Sequence, residues 1–342
     1  MISSKDIEGL QKETGFDRDL LEKVIHLTSI LSELMKNDTI AENLVLKGGT
    51  SLNLIHLDMP RLSIDLDFNY TGSLDREQML KERKDIEKII EKIGSDLGYE
   101  VEDRGSSYII SRKIFRYEKT TGIKDHVKIE INFLQRMPVG EVKRSEFKFV
   151  DLKIESFNVP TYSIEELCAQ KMVACIDRYL FRDIYDVYIY SNLKLNMGLT
   201  KKFVAVYFCM NSDTKEVDLS FFNTVYPQEL EQNLYQFVRD LSEKPEQIIH
   251  EARKFMEDMF CFSDECKAFV DEFYETRRLI QKHFSPKAMI YPFTHPYFSD
   301  YHNYLDRPKN MISTQKTGIT ATRFRFFNYD HELVHVSHLS VN

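Results

Sequence analysis

The sequence has no stretch approaching the run of about 20 apolar residues that a membrane helix needs, so no membrane partner is expected. Its first residues, MISSKDIEGLQKETGFDRD, lack the apolar block of a secretory signal, which makes the cytoplasm the expected location. Cysteine is scarce: there are five, an odd number, with no CxxC pair. This argues against a disulfide scaffold or a thiolate zinc site, and reduced thiols suit a cytoplasmic chain. An excess of positive charge is missing too. The formal net charge is −8, so any contact with nucleic acid has to run through a local patch of Lys and Arg. Internal repeats and low-complexity tracts are also missing.

What is present is enough apolar material for real cores. The 342 residues are 42% hydrophobic and 29% charged, which excludes disorder over most of the length and favours two packed domains. Residues 17–36 place Leu20, Leu21, Val24, Leu27, Ile30, Leu31 and Leu34 at helical spacing. The short apolar run Leu44-Val45-Leu46 then meets Lys47-Gly48-Gly49-Thr50-Ser51, where Thr50 or Ser51 can cap a helix running to about Leu57. From Leu62 to Tyr70 the pattern alternates. Ile64, Leu66 and Phe68 point one way, and Ser63, Asp65, Asp67 and Asn69 the other.

A helix follows over 75–97, then strand-like stretches at Tyr108–Arg116, His126–Leu134 and Phe147–Ile154. The middle one sets Lys128, Glu130 and Asn132 on its polar face. A mixed sheet with flanking helices makes this half an α+β domain. Pro160 ends the strand region, and Ser163-x-x-Glu166 reads as a capping box opening a helical half in which only Gly198 interrupts up to about residue 284. From Ser285 the tail gathers aromatics, prolines and five of the ten histidines with weak periodicity. The expected organisation is 1–160, 161–284 and an irregular tail over 285–342.

Asp65 and Asp67, two apart on a strand, project from one face. Such carboxylates repel each other and tolerate the proximity best around a divalent cation. Glu130, on the polar face of another strand, can join them, and Mg²⁺ suits a site of a few carboxylates, waters and phosphate oxygens. Upstream, glycines at a helix start let an anion approach the backbone. Each piece has a plainer explanation. A Gly-Gly is usually a turn, a DxD on a strand is often solvated surface, and Lys171 with Arg178 two turns on reads as an exposed charged face.

Their order is what is specific. LVLKGGTSL (44–52), RLSIDLDF (61–68), KIEINF (128–133) and EELCAQKMVACIDRYLFRDIYDVY (165–188) together resemble the AbiEii/AbiGii toxin family over roughly residues 20–195. The resemblance implies a DNA polymerase β-type nucleotidyltransferase fold with a C-terminal helical domain, and a toxin of a toxin–antitoxin or abortive-infection system with a separately encoded antitoxin. By that resemblance Gly48, Gly49 and Thr50 match a triphosphate contact, Asp65 and Asp67 the metal carboxylates, and Glu130 a third acidic strand residue. Lys171 matches the lysine of the third motif, and Asp183 and Asp186 the fourth. Many superfamily enzymes have Gly-Ser where this chain has Gly-Gly-Thr, so either Thr50 or Ser51 is open as the phosphate hydroxyl.

The implied chemistry transfers a nucleoside monophosphate from a nucleoside triphosphate to an acceptor, with tRNA as a candidate. Mg²⁺ would sit on Asp65, Asp67 and Glu130, with Lys171 or Arg178 neutralising the leaving pyrophosphate. Asp183 and Asp186, three apart on a helix, orient those cations, contact the base or acceptor, or join two helices by a salt bridge. Two other readings stand beside this one: a small-molecule (antibiotic-type) nucleotidyltransferase, and a nucleotide-binding regulatory module without turnover. His331-Glu332-Leu333-Val334-His335 spells HExxH, but no third zinc ligand or long flanking helix accompanies it, so a zinc hydrolase is not the expectation. Cys168 and Cys175, two helical turns apart, read as core thiols. The aromatic cluster Tyr291–Tyr304 suits base stacking or a packed contact.

Overall fold

The structure, a computed structural model, describes residues 3–276 apart from 148, 150–155, 213, 240 and 242. The sheet grows from the alternating segments. Its strands are β1 (Leu44–Lys47), β2 (Asp65–Tyr70), β3 (Glu100–Asp103), β4 (Ile110–Glu118), β5 (Lys124–Asn132), β6 (Lys143–Glu146) and β7 (Asn158–Thr161). They lie in the order β3-β4-β5-β2-β1-β7-β6. β2 pairs parallel with β5 and β1 parallel with β7, while the other pairs are antiparallel, so the sheet is mixed as expected.

The register fixes the functional face. Asp65 stands opposite Lys128 and Asp67 opposite Glu130. Alternation puts all four on one side, and Leu66, Phe68, Ile129 and Ile131 on the other. That apolar side packs into one core with α2 (Arg18–Met35) and α5 (Arg76–Asp96). Asp17 caps α2 by accepting from the N–H groups of Asp19 and Leu20, and Asp75 caps α5 by accepting from Gln78 N–H. The short helices α1 (Ser4–Thr14) and α3 (Asp38–Asn43) flank α2.

Strands β3, β6 and β7 all fall outside the expected stretches, and for β3 and β7 the reason is tertiary. β3, with the sequence EVED, carries no apolar alternation and is a charged edge strand paired only with β4. Pro160 does not end the strand region but lies inside β7, opposite Arg144 of β6. Its missing N–H is tolerated there because β7 meets β1 at the single pair Leu46–Thr161. Most of the expected strand at Phe147–Ile154 falls outside the described residues, as do the 285–342 tail with its His331–His335 motif and the Tyr291–Tyr304 cluster.

The helical half comprises α6 (Ile164–Arg178), α7 (Phe181–Ser191), α8 (Met197–Asn211), α9 (Pro227–Leu234), α10 (Pro245–Phe260) and α11 (Asp264–Thr276), following α4 (Gly48–Ser51) in the first half. A second core joins them, with Met172, Ile184, Val204, Ala252 and Phe269 buried. Gly198 sits in the first turn of α8 and interrupts nothing. The breaks fall instead at Tyr179–Leu180, over 192–196, and between α8 and α9, α9 and α10, and α10 and α11. Ser163 accepts from Glu166 N–H, but Glu166 does not complete the capping box. Its buried carboxylate accepts from the N–H groups of Val139 (2.8 Å) and Gly140 (2.9 Å) and from Tyr207 Oη–H (2.7 Å), tying the 139–140 loop to α6 and α8. Cys168 and Cys175 are wholly buried free thiols, and burial pushes both far above the ordinary thiol value, which leaves them inert. Among the described residues no helix is long and apolar enough to cross a membrane.

Candidate active site

Asp65 and Asp67 face a cleft lined by Gly49, Arg61, Ser63, Lys128, Lys171, Arg178, Leu180, Arg182 and Asp183 as well as by themselves. Five cations and three carboxylates therefore share one concavity. Burial raises the carboxyl of Asp65 above its ordinary value, Asp67 adds to the rise, and Lys128 and Arg182 oppose it. Lys128 Nζ lies 3.7 Å from Asp65 Oδ2. Two carboxylates held together on an open cleft fit a divalent cation, which would relieve the repulsion and leave room for waters and phosphate oxygens.

Glu130 is held differently from this pair. It lies opposite Asp67, but its Oε2 accepts from Arg112 Nε (3.0 Å) and Nη2 (2.7 Å), and it is not among the cleft-lining residues. Burial and the charge of Asp67 raise its carboxyl as well. Among the described residues no three His, Cys, Asp or Glu side chains are disposed to hold a metal. Asp65 and Asp67 thus line the cleft without Glu130, whose carboxylate sits beside Asp67 in register and is held by Arg112.

A carboxyl raised in the folded state costs stability once it is ionised, and that cost is complete at pH values above the raised value. We therefore expect Asp65→Asn, without divalent cation at neutral pH, to unfold at the same temperature as the native chain or higher. Adding Mg²⁺ should lift the native midpoint and leave that of the variant in place. Thermal unfolding with and without MgCl₂ checks this, and a variant melting well below the native chain would mean that Asp65 is structural.

The Gly48–Ser51 segment differs in part from expectation. The helix begins at Gly48 after Lys47, so neither Thr50 nor Ser51 caps it, and it continues as a π-helical turn over Leu52–His56. Thr50 Oγ1 donates to the Asp65 carbonyl (2.5 Å) and shares a hydrogen bond with Ser63 Oγ (3.0 Å), while Ser51 Oγ hydrogen-bonds Thr161 Oγ1. Both hydroxyls are buried in the fold, and the hydroxyl that does line the cleft is Ser63. The two glycines have separate causes. Gly48 has φ +70°, and a Cβ there would lie 3.0 Å from Asp67 Oδ2. At Gly49 a Cβ would meet Arg61 Nη2 at 2.6 Å and Ser63 Oγ at 2.9 Å. Since that guanidinium is fixed elsewhere, Gly49→Ala is expected to destabilise the fold by about 1–3 kcal/mol through overpacking and to weaken nucleotide binding. Denaturant unfolding checks it, and an unchanged midpoint would mean that Arg61 yields freely.

The cleft floor is a buried charge network. Arg61 donates from Nε to Asp186 Oδ1 and from Nη2 to Oδ2, both at 2.7 Å. Lys171 Nζ lies 2.7 Å from Asp183 Oδ1 and 3.0 Å from Asp186 Oδ2. Arg178 grips Asp183 through Nε (2.6 Å) and Nη2 (3.0 Å). Burial alone would raise both aspartates. Lys171 and Arg178 instead hold Asp183 far below the ordinary carboxylate range, and Arg61 and Lys171 lower Asp186. Lys171 is therefore no exposed face but a buried cation shared by two carboxylates. Arg61, Ser63, Lys128 and Arg182 escaped the sequence reading as site residues. All four lie within the motifs, Arg61 and Ser63 in 61–68, Lys128 at the start of 128–133 and Arg182 in 165–188, where position in the motif was an available signal.

Residues 29–279 match a family described as nucleotidyl transferase AbiEii toxin, type IV toxin–antitoxin system. No curated protein matches the chain. Among solved structures, MenT4, a nucleotidyltransferase toxin from Mycobacterium tuberculosis H37Rv, superposes with a TM-score of 0.54 at 18% identity, covering 74% of this chain and 88% of that one, and so shares the fold. JHP933 from Helicobacter pylori is similar at a TM-score of 0.44 and 16% identity, over 77% of this chain and 100% of that one.

Proposed function

This chain belongs to the AbiEii nucleotidyl transferase toxins of type IV toxin–antitoxin systems, and from that membership we propose that it transfers a nucleoside monophosphate from a nucleoside triphosphate to an acceptor hydroxyl, with RNA, tRNA in particular, as the acceptor. The observation that carries this reading is Asp65 and Asp67 side by side in a cleft whose remaining walls are largely cationic. The acceptor oxygen gives up its proton to solvent and bonds to the α-phosphorus as the bond from that phosphorus to the β-phosphate bridging oxygen breaks, and pyrophosphate leaves.

Asp65 and Asp67 would hold Mg²⁺, with Glu130 joining only by exchanging Arg112 for the cation. A divalent cation there supplies neutralisation of phosphate charge and a lower pKa for the attacking hydroxyl. Lys171 and Arg178 present positive charge to the phosphates, and Asp183 and Asp186 hold them in place. Gly49 brings the uncapped start of α4 to the cleft wall. Such chemistry asks for positioning and charge, with no covalent nucleophile. The toxin family supports a separately encoded antitoxin as partner.

The test is incubation of the purified full chain with labelled nucleoside triphosphates, Mg²⁺ and total cellular RNA. Label in RNA is the expected result. Label confined to small molecules overturns the RNA acceptor, and failure to bind any triphosphate overturns the nucleotidyltransferase reading itself.

A further inference from the structure

Between α9 and α10 the chain leaves the helical half and reaches the segment that carries Arg61, one of the cleft-lining residues. Leu62 N–H donates to the Phe237 carbonyl at 2.8 Å, and Arg61 and Val238 form an antiparallel bridge, so this crossing segment is pinned to the residues just before β2. A second anchor is Arg239, whose guanidinium lies 4.8 Å from the centre of the Phe16 ring. Phe237 and Val238 are buried beneath the crossing, and Tyr235 stands outside it in solvent.

Beneath the crossing, the Phe237 ring carries the Arg182 guanidinium, 4.8 Å from ring centre to Cζ. Arg182 lies in the first turn of α7 and lines the cleft. Its neighbours there are all paired: Arg61 with Asp186, Lys171 with Asp183 and Asp186, Arg178 with Asp183, and Lys128 with Asp65. Among the described residues Arg182 forms no ion pair; an aromatic face holds it instead. A ring restrains the guanidinium plane without accepting its N–H bonds, which leaves the donor fork for a ligand. A carboxylate partner would have consumed that fork.

Building on the nucleotidyltransferase reading, we propose that Arg182 binds the two terminal phosphates of the nucleoside triphosphate, which leave as pyrophosphate, and that Phe237 is the positioning residue that aims it. A bidentate fork on phosphate oxygens is what guanidinium geometry provides best. The helical half thereby completes a site whose metal-binding carboxylates come from the sheet.

The experiment uses the full chain. The Michaelis constant for the nucleoside triphosphate, kcat, and direct calorimetric binding of inorganic pyrophosphate are measured for Phe237→Leu, Phe237→Tyr, Arg182→Ala and the double variant Phe237→Leu/Arg182→Ala. Phe237→Leu should raise the Michaelis constant and weaken pyrophosphate binding by about five- to tenfold, with kcat changed by less than about twofold. Phe237→Tyr, which restores the ring, should recover most of the loss. The double variant should bind no worse than Arg182→Ala alone, because Phe237 acts through Arg182; a merely structural role would make the two effects add. Native pyrophosphate affinity in Phe237→Leu, or additive losses, overturns the proposal. Pyrophosphate binding needs no turnover, so a chain that binds it through Arg182 and transfers nothing would sink the enzymatic reading while leaving this subsite standing.

Discussion

Asp67→Asn is expected to lower nucleotidyl transfer by about a thousandfold while the chain stays folded. Asp67 pairs in register with Lys47 of β1 and Glu130 of β5, and its carboxylate packs so close to Gly48 that a Cβ there would lie 3.0 Å from Oδ2. At the proposed Mg²⁺ site, removing its charge would leave Asp65 as the one carboxylate, and one carboxylate among several cations is a poor ligand set for Mg²⁺. Stabilisation of charge on the transferring phosphate is worth several kcal/mol, and each 1.4 kcal/mol or so is tenfold in rate. The amide is close in size to the carboxylate, so the packing around Gly48 should persist. Labelled transfer, read beside a thermal melt, checks it. Activity within tenfold of native would mean that the metal sits elsewhere.

Asp186→Ala should destabilise the fold by about 3–5 kcal/mol, the usual cost of breaking a buried ion pair from one side. The substitution strands the Arg61 guanidinium, 3% exposed, which Asp186 grips at both oxygens, and leaves Lys171 with Asp183 alone. Replacing both partners, as in Arg61→Met with Asp186→Leu, should restore much of the loss, because no uncompensated charge then remains. Since the pair is shielded from solvent, added salt should change the loss little. The pH dependence follows from sign. Asp183 and Asp186 both have lowered carboxyls. Their stabilisation is fully present above the ordinary carboxylate value, near 4, and drains away as pH falls from there towards the lowered values. Urea unfolding between about pH 7 and pH 3 checks both points. A loss under about 1 kcal/mol would mean that the network is solvated in solution.

These two residues were not equally legible. Asp65 and Asp67 share a face because strand alternation is local, so the pair could be read from SIDLD without any partner strand. Which side chains would wall the cleft around that pair could not be read from any local period. Lys128 arrives through a parallel pairing between strands separated by α5, β3 and β4, and Arg61 meets Asp186 across 125 positions. Glu130 shows the limit from the other side. Its place on the polar face was correct, but the hydrogen bonds from Arg112 depend on the β4–β5 register. Thr50 and Ser51 were polar residues after a glycine pair, and only the packing of β1, β2 and β7 turned their hydroxyls inward.

The order of motifs along the chain, the periodicities of α2, α5, β2 and β5, and the doublet of acidic residues on one strand face were determined by sequence alone, because helical and strand periods act over a few neighbouring residues. Which charge meets which was decided only by the tertiary structure. An ion pair or a cation over a ring forms wherever folding brings two distant side chains within a few ångströms, and nothing local to Arg61, Arg112 or Arg182 says whether Asp186, Glu130 or Phe237 will be waiting there.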